Sequence, residues 1–280
     1  MTDETQLAWE RRLAPLVAVA AFAAAVCVIV NQVVVQAVVL EDRPLIEPLP
    51  DFLLSLNEQP TAFVAASAVQ ALGYAFLGVV LWFVFRAARH RRPEMPGALI
   101  GLVYIGPLLF ATGTLLGAID RIDVADQFAA GGVIRGQAGE DRAEDLVGDI
   151  SLAAPILLNV GGLATAILLV LVSVNAMRVG LFSRFIGILG IIVGALLVLP
   201  LFPGAPLVLQ TFWLGALGVL LLGRWPGGRG PAWETGAADA WLTPRQRMAL
   251  EQADPEPGGN GSEPEPPARR SSRKRKRKNR

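Results

Sequence analysis

Residues 181–223 read LFSRFIGILGIIVGALLVLPLFPGAPLVLQTFWLGALGVLLLG, and the number of helices in this stretch decides on which side of a membrane the chain ends. One bilayer crossing takes about 20 apolar residues, and the stretch holds roughly twice that. Its middle, PLFPGAP at 200–206, carries three prolines and a glycine. Such residues stop one helix and preset the first turn of the next. Two helices joined by a tight turn are therefore expected, one from Leu181 and one from Ala205.

Four more apolar runs lie upstream, beginning at Leu13, Thr61, Gly97 and Ser151. They are long and continuous, whereas strands of a membrane barrel alternate with a period of two over about ten residues. The expected fold class is all-α, a polytopic transmembrane helix bundle of six spans with a disordered C-terminal tail. Residues 1–12 form an N-terminal segment, and 13–224 the transmembrane domain with outer loops at about 41–60 and 120–149. Residues 225–252 are an interfacial exit with a short helix, and 253–280 the tail. Composition agrees, with 53% hydrophobic residues and a mean hydropathy of +0.48, values that belong to membrane-embedded chains.

The formal net charge of +1 conceals two opposed blocks. With six spans, the side opposite the termini carries Arg43, Arg121, Arg135 and Arg142, and the other basic residues fall on the side of the termini. Basic loops stay in the cytoplasm during insertion, so both termini are expected there. The bias survives removal of the tail, at eight basic residues against four. Residues 1–12 carry three acids and no small-residue cleavage site follows, so no removed leader is expected.

Within the runs there is no Asp, Glu or Lys, which argues against a proton-driven pump, since buried carboxylates mark proton relays. Polar candidates are Gln32 and Gln36, four apart on one helix face beside Asn31, then Ser67, Gln70 and Tyr74 on one face of the second run, and Asn159 with Thr165 in the fourth. Solvation at the membrane boundary or hydrogen bonding between helices accounts for the glutamines, and a polar ligand site is the alternative. Trp82 and Trp225 fall at run ends, where an indole suits headgroup depth. Trp213 lies well inside its run, and its N–H should seek a neighbouring helix carbonyl. Gly97 with Gly101, Gly113 with Gly117, and Gly187, Gly190 and Gly194 are spaced for close helix approach, and Gly106–Pro107 is placed to kink the third run.

The chain has one histidine, His90, in an Arg-rich loop, and one cysteine, Cys27, in an apolar run. Neither a zinc or iron set nor a histidine-assisted nucleophile is credible with so few, so no cofactor is expected and the enzyme class is disfavoured. A lipid-modifying enzyme using an outer-loop acid such as Asp149 as base ranks third among the readings. The 120–149 loop has eight acids and few large apolar residues, too few to bury a core by itself, and is expected to be mostly solvated, with AAGG and GQAG as breakers between helical ends.

Beyond the last run, Thr243, Pro244 and Gln246 give a helix-start pattern. PEPGGNGSEPEPPA then separates it from a terminal RRSSRKRKRKNR. Arg269, Arg270, Arg273, Lys274, Arg275, Lys276, Arg277, Lys278 and Arg280 make nine basic residues in the last twelve. Anionic lipid headgroups are their expected contact. Nucleic acid is disfavoured beside lipid contact or plain retention of topology, and without an aromatic residue for base stacking any such binding would be sequence-blind.

The stretches NAMRVGLFSRFIGILGIIVGALLVLP and LGRWPGGRGPAWETG resemble those of uncharacterised actinobacterial integral membrane proteins, a domain-of-unknown-function family. The likeness covers about residues 144–242. It implies six spans and a bacterial plasma membrane, and carries no catalytic residues across. The expected function is a non-enzymatic scaffold or accessory subunit with a membrane-protein partner or a second copy of itself. The alternative is a carrier or channel for a small neutral or lipid-like solute.

Overall fold

The computed structural model describes residues 3–40, 48–199, 205–226, 228–239 and 241, and every regular element among them is helical. The chain forms α1 (Asp3–Val34), which runs into a π-helical turn at Val35–Val39, then α2 (Leu49–Glu58), α3 (Pro60–Arg91) and α4 (Leu99–Ala129). It continues as α5 (Gly136–Gly148), α6 (Ala153–Arg178), α7 (Arg184–Val198), α8 (Ala205–Leu221) and a single turn, α9 (Ala232–Thr235). Residues 242–280, with the Thr243 helix start and all nine terminal basic residues, lie outside the described residues, as does most of the 200–206 turn.

Four helical stretches are long and apolar enough to cross a membrane: Glu4–Val39, Pro60–Arg91, Leu99–Ala129 and Ala153–Arg178. The two halves of 181–223 are separate apolar helices of 15 and 17 residues. At 1.5 Å per residue these reach about 22 and 26 Å, short of a hydrocarbon core of about 30 Å. The first helix begins ten residues before Leu13, so the N-terminal segment extends α1 rather than preceding it.

Helix ends follow local chemistry. Pro60 occupies the first turn of α3, where its missing N–H costs nothing. At the end of α6, Gly180 takes φ +81°, with Leu181 N–H donating to Ala176 O at 2.8 Å and Gly180 N–H to Met177 O at 3.2 Å. This pair of bonds satisfies two terminal carbonyls and turns the chain into α7, whose first turn Ser183 caps by accepting from Ile186 N–H. Gly223, at φ +73°, ends α8 the same way, with Arg224 N–H on Val219 O and Gly223 N–H on Leu220 O.

The longer helices form a ring in chain order, α1 against α3, α3 against α4, α4 against α6, α6 against α7 and α7 against α8, closed by α8 on α1. Small residues set how closely they approach. A Cβ on Gly161 would strike the backbone of Leu109 and Phe110, and one on Gly113 would come within 2.7 Å of Leu158 N, so α4 and α6 meet nearly backbone to backbone. Gly73 gives Cys27 its room between α3 and α1. Gly101, by contrast, has nothing within 4 Å, and Gly97 precedes α4, so that pair does not join helices. α4 runs on through Pro107 to Ala129 as one helix.

Two cores result. The larger fills the ring towards the end that holds the start of α1, with Phe83, Phe85, Phe182, Trp213 and Trp233 all buried. The smaller lies at the opposite end, where Val39, Leu53, Leu56, Phe63, Val124 and Phe128 close on Ala143. The acidic segment after α4 is mostly exposed, as expected, and within it α5 docks on this core through Ala143. AAGG does break the helix, with Gly132 at φ +90°, but GQAG opens α5 instead of interrupting it. Arg142 of α5 donates to Phe128 O at 2.9 Å and to Gln127 O at 2.8 Å, with its guanidinium 4.9 Å from the Phe128 ring centre. A cation thereby caps the negative end of α4.

Candidate functional site

The densest polar construction lies where the start of α1, the end of α3 and α9 meet. Arg91 grips Glu10 with both prongs, Nη1 on Oε1 at 2.6 Å and Nη2 on Oε2 at 2.8 Å. Both side chains are out of solvent, at 0% and 2% exposed. The remaining guanidinium donors go to backbone, Nε and Nη2 to Ala232 O at 3.2 and 2.7 Å, and Nη1 to Ala87 O at 2.9 Å. Gln6 Nε2 adds a bond to Glu10 Oε1 at 2.9 Å. Burying two charges is costly unless each is paired and fully hydrogen-bonded, and this pair meets that condition.

Around it stands an aromatic stack. Trp233 Nε1 donates to Leu181 O at 2.9 Å while its ring lies parallel to Phe83 at 5.8 Å. Phe83 stacks in turn on Trp9, which meets Trp82 edge-on at 5.6 Å, and the Arg86 guanidinium sits 4.7 Å from the Trp9 ring centre. The exit after α8 is therefore packed into the bundle end through Trp233. Asp239 N–H bonds to Val179 O, and Arg229 Nη2 donates to Leu221 O. Burial lowers the Arg229 pKa, with repulsion from Arg11 adding to the effect and attraction from Glu10 opposing it. Across the bundle Arg92 Nη1 donates to Asn175 Oδ1 at 2.9 Å, joining α3 to α6.

Two clefts open between α3 and α4. One, of about 540 Å³, lies at the basic end and is lined by Trp82, Arg86, Arg89, His90, Ile100 and Tyr104 among others. The other, of about 470 Å³, continues along the helices past Gly78, Val103, Pro107, Leu108 and Ala111. Trp82 and Tyr104 line both.

The polar residues singled out from the sequence are dispersed. Ser67 and Gln70 are buried on α3. Gln70 interacts with the Tyr74 hydroxyl, and the Tyr74 ring stacks on Phe110 of α4 at 4.1 Å. Gln70 Oε1 has no hydrogen-bond partner among the described residues. Gln32 lies near the end of α1 and Gln36 in the π-helical turn, both half-buried. Their neighbour Asn31 bridges helices, donating to Ala66 O at 2.9 Å. Asn159 is exposed and donates to Pro155 O of its own helix, so the structure does not bring it to Gln70 and Tyr74. Trp213 Nε1 donates to Ile186 O at 3.1 Å, the helix carbonyl its position called for.

Asp149 lines a cleft of about 200 Å³ with Asp120, Asp123 and Gln127. No group of three or more His, Cys, Asp or Glu is arranged to hold a metal among the described residues. The Glu10–Arg91–Ala232 clamp and the α3–α4 crevice were not singled out from the sequence. For the clamp, the available signal was an acid and an arginine bordering apolar runs, which reads equally well as loop charge. For the crevice it was Arg86 and Arg89, three apart at the end of a run carrying Trp82.

No family model, curated protein or solved structure matches the chain.

Proposed function

We propose that the chain is a six-span protein of a bacterial plasma membrane, with both termini cytoplasmic, acting as a non-enzymatic scaffold or accessory subunit. In this reading α7 and α8 are the fifth and sixth crossings, their short apolar lengths met by local bilayer thinning and by flanking residues that reach to the interface. The observation that carries the proposal is the strap over the basic end, in which Arg91, itself held by Glu10, donates to the Ala232 carbonyl while Trp233 donates to Leu181 O. A buried clamp of this kind fixes the start of the segment that leads to the tail, as suits a protein that offers a tethered basic segment to a partner. The nine basic residues from Arg269 to Arg280 then meet anionic headgroups or an acidic face of a neighbouring membrane protein. The carrier alternative needs Gln70, Tyr74 and Asn159 to face one cavity, and the exposed position of Asn159 weighs against it.

The test is native mass spectrometry of protein gently extracted from its own membrane, comparing the full chain with one ending at Ala268. Defined oligomers or partner proteins, reduced in the shortened chain, are expected. A lone monomer with no co-purifying protein in either form overturns the scaffold. Topology is read separately with single cysteines placed at 146 and 238 in a Cys27→Ser background. Labelling of 146 from outside and of 238 only after permeabilisation is expected.

A further inference from the structure

We infer that the crevice between α3 and α4 is a binding site for one anionic phospholipid, its phosphate at Arg86, Arg89 and His90 and an acyl chain along the groove below. The inference rests on the reading that α3 and α4 cross a bilayer, and it goes beyond the scaffold role, which does not require a bound lipid.

Three observations converge on this occupant. The first is continuity, since the basic cleft and the apolar groove share Trp82 and Tyr104 and so form one path from a charged mouth to a hydrocarbon-like trough. Their volumes, about 540 and 470 Å³, lie in the range of sites that hold small molecules. The second is the division of chemistry along that path. The mouth presents guanidinium groups, which match phosphate oxygens with two parallel donors. The trough is lined by Gly78, Val79, Val103, Pro107, Leu108 and Ala111, residues with no side chain to hydrogen-bond a polar solute. A free phosphate would use only the mouth, and a neutral hydrocarbon only the trough. An amphiphile with a negative head uses both.

The third is that the mouth is held in shape. Arg86 lies over Trp9 and Trp82, at 4.7 and 5.8 Å from their ring centres. Arg89 folds back across the α3–α4 connection, close enough that a Cβ on Gly97 would come within 2.7 Å of its Nη2. Trp82 and Tyr104 stand at the junction, the depth at which amphipathic rings meet the glycerol region of a bilayer. Pro107 shapes the trough as well, because it has no N–H to give to the Val103 carbonyl and its ring packs on Gly78.

The experiment uses the full chain in nanodiscs containing a photoactivatable phosphatidylglycerol with the reactive group in the acyl chain, competed with phosphatidylglycerol, with phosphatidylcholine of the same chains, or with glycerol phosphate. Labelling within residues 75–111 is expected. Phosphatidylglycerol should displace the probe at least about tenfold better than phosphatidylcholine, and glycerol phosphate should not displace it. Arg89→Gln with Arg86→Gln should reduce labelling about tenfold. Ala111→Trp, which fills the trough and keeps the arginines, should do the same, and Arg184→Gln at the same end should leave it unchanged. Arg89→Gln alone guards against misfolding, since that side chain is exposed. Labelling spread over α6 and α7, equal displacement by phosphatidylcholine, or equal labelling of all variants overturns the site. Displacement by glycerol phosphate would make it a free-phosphate site instead. The readout does not depend on which side of the membrane the basic end occupies, so a failed topology assignment is seen in the cysteine labelling and not here.

Discussion

Glu10 and Arg91 stand 81 positions apart in sequence and are joined by two charge-assisted hydrogen bonds at 2.6 and 2.8 Å, out of reach of solvent. Arg91 is anchored by three elements at once, through Glu10 of α1, Ala87 of its own helix and Ala232 of the exit strap. Removing either partner leaves a buried charge without compensation. Glu10→Gln or Arg91→Gln should each lower stability by about 3–5 kcal/mol, read as loss of unfolding midpoint by tryptophan fluorescence in detergent. The double variant should lose much less than the sum of the two. Additive losses would mean that the two groups do not act as a pair.

Trp233 makes the second fastening, and its ring and its N–H can be tested apart. Trp233→Phe keeps an aromatic face towards Phe83 but leaves the Leu181 carbonyl without its donor, a loss of about 1–3 kcal/mol for a buried acceptor. Limited proteolysis within 224–241 should quicken in this variant. Trp225→Phe, which alters a more exposed ring stacked on Phe185, should leave the cleavage rate as it is.

Gly161 and Gly101 look alike in sequence and should behave oppositely. A Cβ at 161 would lie 2.8 Å from Leu109 C and 2.9 Å from Phe110 Cα, atoms of backbone that cannot swing aside. Gly161→Ala should therefore force α4 and α6 apart at a cost of about 1–3 kcal/mol or more. Gly101→Ala meets nothing and should stabilise by about 0.5–1 kcal/mol, because alanine loses less backbone entropy in a helix. Thermal unfolding of the two variants in the same detergent decides the matter.

This contrast shows which parts of the molecule were legible in the sequence. The four longest helices were, because continuous apolar runs leave the backbone no better way to satisfy its polar groups in a membrane. The need of Trp213 for a carbonyl was legible because one buried N–H must be paired whatever lies around it. Glycine spacing was informative for Gly113, Gly117, Gly187, Gly190 and Gly194, each of which faces another helix, and not for Gly97 and Gly101. Gly113 does face a neighbouring helix and Gly101 does not, and which face meets a partner depends on the ring arrangement, which local spacing does not encode. The Glu10–Arg91 pair was invisible for the same reason, since each residue borders an apolar run and reads as ordinary loop charge. The Gly/Pro-rich exit read only as an interfacial segment, and the anchoring of its Trp233 was not legible because the Leu181 carbonyl that receives the indole lies 52 positions upstream. The small core at the acidic end was not legible because it is shared. No single loop has enough apolar surface, but the π-helical turn after α1, α2, α3, α4 and α5 each contribute to it.

That shared core depends on Arg142, and the dependence can be measured. The last carbonyls of α4 have no helical partners of their own, and Arg142 supplies donors to Gln127 O and Phe128 O while covering the Phe128 ring. Arg142→Gln keeps a polar side chain but removes the charge and the fork, and should weaken the contact between α4 and α5 by about 1–2 kcal/mol. Hydrogen exchange should accelerate across residues 124–148, where Val124, Phe128 and Ala143 share the small core, while amides near Arg91 stay protected. Faster exchange throughout the chain would mean that the two cores unfold as one unit. No change in 124–148 would mean that the Val124, Phe128 and Ala143 contacts hold α5 without the cap.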